Sequence, residues 1–295
     1  MQKKPLVSII CLCYNHEKYL LETLESVVNQ TYQNIEVIIA DDCSSDNSVA
    51  LIEKWIKKYP ETKFVKNKTN IGNTKTFNSV FQHAKGEYIV DLATDDVLFP
   101  NTIELQVACF EKSKNSKLGI VYGNLERIDA ENNHIDYFFN VDKNLKTIKP
   151  QPTGDIYKGL LSIENNVCSV SSMVKREVYE TLNCYDTTLY YEDLDFWIRA
   201  ARQYEFEYID EILVKKRVLS SSLSNNRFKI FNSKTRKFNQ STYIIILKAL
   251  KLNQTNDENK AILKFIYHEL SVSVKTLDFV LFLKYIILLL RIKLS

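Results

Sequence analysis

The feature that most constrains the fold is an alternation of short apolar runs with helical segments across residues 6–123. The first run, 6–13, is followed by 17–29, where leucine and valine recur at the spacing of one helix face. Three more strands followed by helical segments are predicted, with the strands at 35–40, 63–66 and 88–92. Four strand–helix repeats predict an α/β fold with a parallel sheet covered on both faces.

Acidic turns follow two of these strands. Asp41 and Asp42 close the second strand, and Asp95 and Asp96 stand just past the fourth. Ligands of parallel sheets bind outside the carboxyl ends of the strands, so both turns are expected at one rim. Adjacent carboxylates repel each other unless a cation compensates them, and Mg²⁺ or Mn²⁺ suits oxygen ligands together with substrate phosphates. The turn at 40–46, taken alone, also fits solvated carboxylates or helix capping by Asp46 or Ser48.

Charge and cysteine usage argue against two classes of protein. Thirty-nine basic and 36 acidic residues give a net charge of +3, which is small for a dedicated nucleic-acid binder. The six cysteines form no CxxC pair and no Cys/His cluster, which argues against a zinc site. Since residues 1–5 lead straight into a strand without a secretory signal, we interpret the cysteines as reduced thiols of a cytoplasmic protein.

The rest of the chain is less regular and then becomes helical. Between 124 and about 220, a helix is predicted at 192–203, and strands near 125–129, 135–139, 168–174 and 212–219. Residues 226–295 are predicted to be helical, with few residues that break helices, so a boundary between two regions of different function is expected near 225.

The segment 277–294 is the most apolar part of the chain, but Lys284 and Arg291 interrupt it. It is also shorter than the roughly 20 apolar residues of a helix that spans a membrane. It predicts either a basic amphipathic helix on an anionic membrane surface or a helix packed on this domain or a second subunit.

Several short motifs stand in order along residues 5–220. They are VSIICLCYN at 7–15, LESVVNQTY at 24–32, IIADDCSSD at 38–46, NIG at 70–72 with Asn78, GEYI at 86–89, ATDD at 93–96 and EDLDFW at 192–197. The ordered set resembles the family 2 nucleotide-sugar glycosyltransferases with the GT-A fold. Three positions depart from the common pattern of that family: Leu12 stands in place of proline, Cys43 in place of glycine, and Ala93 in place of an acid.

The resemblance implies a GT-A domain, a Rossmann-like and mostly parallel sheet flanked by helices, over 1–225. Its nucleotide-binding half would span 1–123 and its acceptor half 124–225, followed by an α-helical region over 226–295. The implied activity is metal-dependent, inverting transfer of a sugar from a nucleotide diphosphate donor, with UDP expected. The implied acceptor is a hydroxyl of a glycan or lipid-linked glycan in surface polysaccharide synthesis, at the inner face of the cell membrane. The helical region would contact that membrane or form a homodimer.

The resemblance also assigns roles to residues. Asp193 would be the general base, and Asp96 with Asp95 would hold Mn²⁺ or Mg²⁺. Donor contacts would come from Tyr14, Asp42, Asn70, Lys75 and Asp95, and acceptor contacts from Glu192 and Trp197.

Several of these residues have a second interpretation. Asp193 also fits the acidic start of a helix, with Asp195 or Glu192 as the alternative base. Lys75 fits an exposed helix lysine, and the spacing of Trp197 fits a core position. The histidines are scattered and predict no site.

Two rival functions remain open. A sugar nucleotidyltransferase should carry a glycine-rich phosphate loop after the first strand, where this chain has CYNHE at 13–17. A non-catalytic protein that binds sugar nucleotides or glycans would keep the fold without turnover, and the acids at 95, 96 and 193 count against it.

Overall fold

The computed structural model describes residues 4–164, 166–219, 228–230 and 232–294. The chain forms two compact units, the first built from 1–154, 167–185 and 204–218, and the second from 155–166, 186–203 and 219–295. The boundary predicted near residue 225 lies outside the described residues. The division of the chain also differs from the prediction, because two segments before residue 204 belong with the C-terminal helices.

The first unit is built on a nine-stranded sheet. In sheet order the strands are β3 (Lys63–Lys66), β2 (Ile35–Asp41), β1 (Val7–Cys13), β4 (Tyr88–Ala93), β8 (Met173–Lys175), β6 (Leu118–Ile128), β9 (Glu205–Arg217) and β5 (Val97–Leu98), and β7 (His134–Tyr137) pairs with β6. The helices of this unit are α1 (Leu20–Val28), α2 (Ser48–Lys58), α3 (Asn73–Phe81), α4 (Thr102–Lys112) and α6 (Arg176–Thr181).

The four predicted strand–helix repeats are confirmed. β1 pairs in parallel with β2 and with β4, and β3 extends the parallel half. Every residue of β1 is buried, as expected for a central strand covered on both faces. Helix α1 buries Leu20, Leu24 and Val27, which are three of the five apolar positions that predicted it, whereas Leu21 is exposed. Gly86 allows the chain to pass close to β1, because a Cβ there would lie 2.5 Å from the backbone nitrogen of Ser8.

The other half of the sheet departs from the parallel pattern. β8 is antiparallel to both β4 and β6, and β5 is antiparallel to β9, so the sheet is mixed. The strand predicted at 168–174 is short, because Ser169–Ser171 forms a 3₁₀ turn before β8. The Ser171 hydroxyl donates to the Gly123 carbonyl at 2.6 Å, which holds this turn against β6.

The second unit is helical. It contains α5 (Tyr157–Leu161), α7 (Asp193–Ala201), α8 (Ser233–Leu252), α9 (Asn256–Lys275) and α10 (Phe279–Leu294). A capping box between Thr255 and Glu258 starts α9. Glu258 also accepts from Arg202 Nη1 at 2.8 Å, and the Arg202 guanidinium lies 4.1 Å from the Tyr157 ring centroid. Contacts of this kind explain why α5 and α7 belong with the C-terminal helices. Within the described ranges, no helix combines the length and apolar character needed to cross a bilayer.

A buried ionic cluster joins α7 to α8 inside this unit. Asp195, which is 1% exposed, pairs with Arg199 Nε at 2.7 Å and with the Lys248 ammonium, which also lies 2.9 Å from Asp186 Oδ2. Burial alone would raise the pKa of Asp186, but hydrogen bonds from Thr188 and Lys248 outweigh it and lower the pKa to about 2. This cluster therefore contributes stability above about pH 4 that is lost as the pH falls toward 2.

We expect Lys248→Met to destabilise the protein by about 2 kcal/mol at pH 7, because Asp195 and Asp186 lose a charged partner. The remaining pair with Arg199 keeps the loss below that of a wholly unpaired buried charge. Urea unfolding at pH 7 and pH 3 measures the effect, and the difference between parent and variant should shrink at pH 3. Lys251→Met, on the exposed face of α8, is the control, and an equal loss in both variants would contradict the assignment.

Candidate functional site

The carboxyl ends of β1, β2 and β4 lie side by side and define one rim of the first unit. The register pairs Cys13 with Asp41 and Leu12 with Ala93, so the residues that follow the three strands are neighbours. The predicted donor and metal residues Tyr14, Asp42 and Asp95 all stand at this point of their strands. The rim expected from the strand–helix pattern is therefore present.

Asp42 is almost fully buried, and both of its oxygens accept hydrogen bonds. Oδ1 accepts from Asn67 Nδ2 and from the Ile71 backbone nitrogen, each at 2.9 Å, and Oδ2 accepts from the Gly72 nitrogen at 2.7 Å. The side chain thereby fixes the loop that carries Asn70 and leads into α3. Gly72 has a φ of 88°, a left-handed conformation that favours glycine. Ionised carboxylates have about four acceptor positions, so a further bond to a ligand is compatible with this arrangement.

We expect Asp42→Asn to lower the free energy of unfolding by about 1 to 3 kcal/mol, because an amide nitrogen would then face a backbone N–H donor. Urea unfolding of the metal-free protein measures it. Glu61→Gln, an exposed carboxylate changed in the same way, should stay within about 0.5 kcal/mol of the parent. A loss at Asp42 no larger than at Glu61 would show that the carboxylate does not hold the loop.

The turn after Asp42 is strained where this chain departs from the family pattern. Cys43 has a φ of 65°, in the left-handed region where glycine is favoured. Next to it, Asp41 accepts from the backbone nitrogen and the hydroxyl of Ser44, and Asp46 accepts from the Ser48 nitrogen at the start of α2. Asp41 and Asp46 thus shape the turn, and Asp46 accepts from the first backbone N–H of α2.

Asp96 also lies at this rim, but it is buried, with only 3% of its surface exposed. Its Oδ1 accepts from the Arg217 backbone nitrogen at 2.9 Å. Burial, and secondly the charge of Asp95, raise the pKa of Asp96 to about 8, although Lys216 and Arg217 partly oppose this. The fold therefore holds a carboxyl group whose negative charge is poorly compensated by protein groups.

Arg217, which the sequence pattern did not identify, holds the acidic turn at Asp95 and Asp96 in place. Its guanidinium donates to the carbonyls of Asp95 and Asp129, each at 3.1 Å, and to Glu22 Oε2 at 2.8 Å. The same group lies 4.3 Å from the Tyr19 ring centroid. In the sequence, Arg217 is one of three consecutive basic residues with Lys215 and Lys216, so no sequence signal distinguished it from them.

His16 also reaches the acidic turn, although no site was predicted for any histidine. Its Nδ1 lies 2.9 Å from Thr94 Oγ1, and its Nε2 lies 3.8 Å from Asp95 Oδ2. The Thr94 hydroxyl also lies 3.2 Å from the Leu12 carbonyl, and Nε2 of His16 faces the Asp95 carboxylate. His16 and Thr94 are 78 positions apart in the chain, which explains why the pattern did not predict this contact.

The acidic turn fits a divalent cation of the Mg²⁺ or Mn²⁺ type in its chemistry. Both ions prefer carboxylate oxygens and complete their coordination with water and substrate phosphates. Asp96 supplies a buried carboxyl group whose ionised form a cation would stabilise, and Asp95 supplies a second carboxyl group beside it. Across the described parts of the chain, no three acidic, histidine or cysteine side chains converge as in an all-protein metal site. Such an ion would therefore depend on non-protein oxygens as well as on these two carboxylates.

The remaining predicted donor residues lie at the surface of the first unit. The Tyr14 ring is 46% exposed at the end of β1, as a stacking role requires. Asn70 is exposed in the loop held by Asp42, and Lys75 is exposed in the first turn of α3. Their exposure is compatible both with donor contacts and, for Lys75, with an ordinary helix lysine.

The predicted acceptor-side residues belong to the second unit. Asp193 and Asp195 lie in the first turn of α7, and Glu192 is its N-cap. Asp193 is exposed, and its Oδ1 accepts from the Leu194 nitrogen at 2.8 Å. Asp195 is buried in the ionic cluster described above, which makes Asp193 the better candidate for contact with a substrate. Trp197 is 4% exposed and packs edge-on against Phe196, as the core interpretation of its spacing predicts.

All six cysteines are free thiols in the structure.

Comparison with known proteins adds an independent line of evidence. The sequence model of glycosyl transferase family 2 matches residues 8–182. An uncharacterized glycosyltransferase of Methanocaldococcus jannaschii is 30% identical over 218 residues, covering 73% of this chain and 71% of the relative. An uncharacterized glycosyltransferase of Haemophilus influenzae is 28% identical over 299 residues, covering 93% of this chain and 88% of the relative.

Solved structures show the same fold. S. aureus TarS 1-349 in complex with UDP-GlcNAc matches with a TM-score of 0.68 at 17% identity, over 90% of this chain and 73% of the other. The mannosyltransferase PcManGT from Pyrobaculum calidifontis, in complex with GDP-Man and Mn²⁺, matches with a TM-score of 0.63 at 16% identity, over 94% of this chain and 74% of the other. The predicted GT-A fold with a helical C-terminal region is thereby confirmed.

Proposed function

This chain belongs to glycosyl transferase family 2, and we propose that it transfers a sugar from a UDP-sugar to an acceptor hydroxyl with inversion at the anomeric carbon. The observation that carries the proposal is the acidic turn at Asp95 and Asp96. It stands at the rim of a parallel sheet where ligands of such folds bind, and its buried Asp96 carboxyl group would need a cation to stay ionised at neutral pH.

Donor binding is assigned to the rim of the first unit. The exposed Tyr14 ring stacks on the base, and Asp42 accepts a hydrogen bond from it while holding the loop of Asn70. The Lys75 ammonium contacts a donor phosphate. Support for a nucleotide-sugar donor also comes from the UDP-GlcNAc complex of TarS and the GDP-Man complex of PcManGT.

Asp96 and Asp95 would hold Mn²⁺ or Mg²⁺ next to the donor diphosphate. Such an ion, when bound, neutralises the charge that develops on the departing nucleotide diphosphate. Asp96 presents its carboxylate in a position set by the Arg217 backbone nitrogen, and the Arg217 guanidinium orients the turn through the Asp95 carbonyl. These hydrogen bonds hold the two carboxyl groups close together before a cation binds, so that little rearrangement is needed during the reaction.

Proton removal is assigned to Asp193. In an inverting transfer the acceptor hydroxyl attacks from the face opposite the nucleotide, so a carboxylate on the acceptor side must take its proton. Asp193 is exposed at the start of α7, and the ionic cluster around Asp195 fixes the helix that carries it. Glu192, beside it, would contact the acceptor.

The acceptor is proposed to be a glycan or a lipid-linked glycan of a surface polysaccharide, and the reaction is placed in the cytoplasm. Six free thiols in one chain are typical of a reducing compartment.

A panel of UDP-, GDP- and dTDP-sugars, each with Mn²⁺, Mg²⁺ or EDTA, tests the proposal through release of nucleotide diphosphate and through binding of the donor. Metal-dependent release from one UDP-sugar, abolished by EDTA and restored by the metal, is the expected result. Incubation with extracted lipid-linked glycans as acceptors covers the case of an enzyme that does not hydrolyse its donor. Tight donor binding without turnover under any of these conditions would instead favour a non-catalytic binding protein.

A further inference from the structure

Helix α10 has two apolar faces, and only one of them is buried. Leu281, Tyr285, Leu288 and Leu289 are buried within the second unit, where the Tyr285 ring lies 5.2 Å from that of Tyr243 on α8. The opposite face carries five further large apolar side chains that are 51 to 68% exposed, namely Phe279, Val280, Leu283, Ile287 and Leu290. We call these five residues the α10 stripe.

The stripe is continuous and has basic residues along both edges. At about 100° per residue, its five side chains fall within an arc of about 100° on the helix. Arg291 and Lys284 follow within about 40° of one edge, and Lys293 lies about 40° beyond the other. The helix has no acidic residue. An apolar arc bordered by cations is the pattern of a helix that lies in the plane of a membrane surface.

Tyrosines stand beside two of these cations. The Lys284 ammonium lies 5.5 Å from the ring centroid of Tyr243, and the Lys293 ammonium lies 5.9 Å from that of Tyr267 on α9. Tyr267 is itself 48% exposed. Aromatic rings with a polar tip favour the level of the lipid headgroups, and long basic side chains can extend their charge to the same level.

We propose that the α10 stripe inserts into the interfacial layer of an anionic phospholipid membrane, with Lys284, Arg291 and Lys293 against the headgroup phosphates. This binding goes beyond the transfer reaction and needs neither donor nor metal. It attaches the protein to the surface without crossing it, in agreement with the length of α10.

Charge decides between a membrane and a second copy of the chain. If two stripes packed on each other with twofold symmetry, the contact would have only cations along its edges, and α10 would offer no carboxylate to pair with them. An anionic surface supplies the missing negative charge. Each basic residue near such a surface strengthens binding severalfold, and salt screens the effect.

The test is sedimentation of the full chain with vesicles of phosphatidylcholine alone or with one third phosphatidylglycerol, at low and high salt. The parent should bind the anionic vesicles at least about tenfold more tightly than the neutral ones, and salt should weaken this binding. Leu283→Ser with Ile287→Ser should lower binding to both kinds of vesicle by about tenfold or more. Lys284→Gln with Arg291→Gln should remove only the preference for anionic lipid.

Two matched pairs on the first unit serve as controls. Ile135→Ser with Ile148→Ser removes equally exposed apolar side chains, and Lys54→Gln with Lys57→Gln removes two exposed cations of α2. Both should bind vesicles as the parent does, and circular dichroism checks that every variant is folded. Failure of the parent to bind anionic vesicles, or full binding by the stripe variant, would overturn the proposal. A lipid-free dimer that the stripe variant dissociates would assign the stripe to a second copy instead.

Discussion

Asp193→Asn is expected to reduce transfer by about 10²- to 10⁴-fold while leaving donor affinity unchanged. The amide has nearly the shape of the carboxylate and keeps an oxygen that can accept from the Leu194 nitrogen. It cannot take the proton of the acceptor hydroxyl. The loss should therefore appear in kcat with a saturating acceptor, and titration with donor and Mn²⁺ should give the parent Kd.

Asp257→Asn is the matched control for this change. Asp257 is also an exposed acid in the first turn of a helix of the second unit, here α9, so both substitutions remove a similar interaction with a helix dipole. Both variants should lose at most about 1 kcal/mol of stability. If they also transferred sugar at the same rate, Asp193 would be an acid that only starts its helix, and the base would have to be sought elsewhere.

Asp96→Asn is expected to lower metal-dependent transfer by about 10³-fold or more, since an amide is a weak ligand and carries no charge to hold the cation. Mn²⁺ with UDP should raise the Tm of the parent and have little effect on the variant. Asp136→Asn, a half-exposed carboxylate of the same unit, should behave as the parent does in both measurements. Equal stabilisation of all three proteins by Mn²⁺ and UDP would exclude Asp96 as a ligand.

The same substitution should stabilise the metal-free protein. Because burial raises the pKa of Asp96, the parent is penalised as the pH rises from about 4, the unfolded value, toward about 8. The variant has no charge to bury, and its Oδ1 can still accept from the Arg217 nitrogen. We expect a gain of several kcal/mol in the free energy of unfolding at pH 8, and this gain should disappear at pH 4. Urea unfolding in EDTA at the two pH values measures it, and a gain that does not change with pH would contradict the raised pKa.

Local patterns predicted the first half of the fold well. The spacing of apolar residues identified β1, α1 and α2, because a central strand and its covering helices are fixed by which residues must be buried. Since parallel strands end together, the same pattern predicted that Asp42, Asp95 and Asp96 lie at one rim. Prediction was weaker where sheet pairing changes direction. The short strand β8 is defined by its pairing with β4 and β6, which are distant from it in sequence.

Contacts between distant residues could not be predicted. Arg217 and His16 reach the acidic turn from positions 122 and 79 residues away from Asp95, and neither lies in a recognisable motif. The assignment of α7 to the C-terminal helices was missed for the same reason, since it depends on pairs such as Lys248 with Asp195.

The sequence by itself determined the alternation of strands and helices, the position of the acidic turns and the resemblance to a family, because each depends on residues close together in the chain. Only the tertiary structure decided the pKa of the carboxyl groups in those turns, the residues that hold the turns in place, and which face of α10 is left exposed. The physical reason is that burial and electrostatic energy depend on everything packed around a group, whatever its distance along the chain.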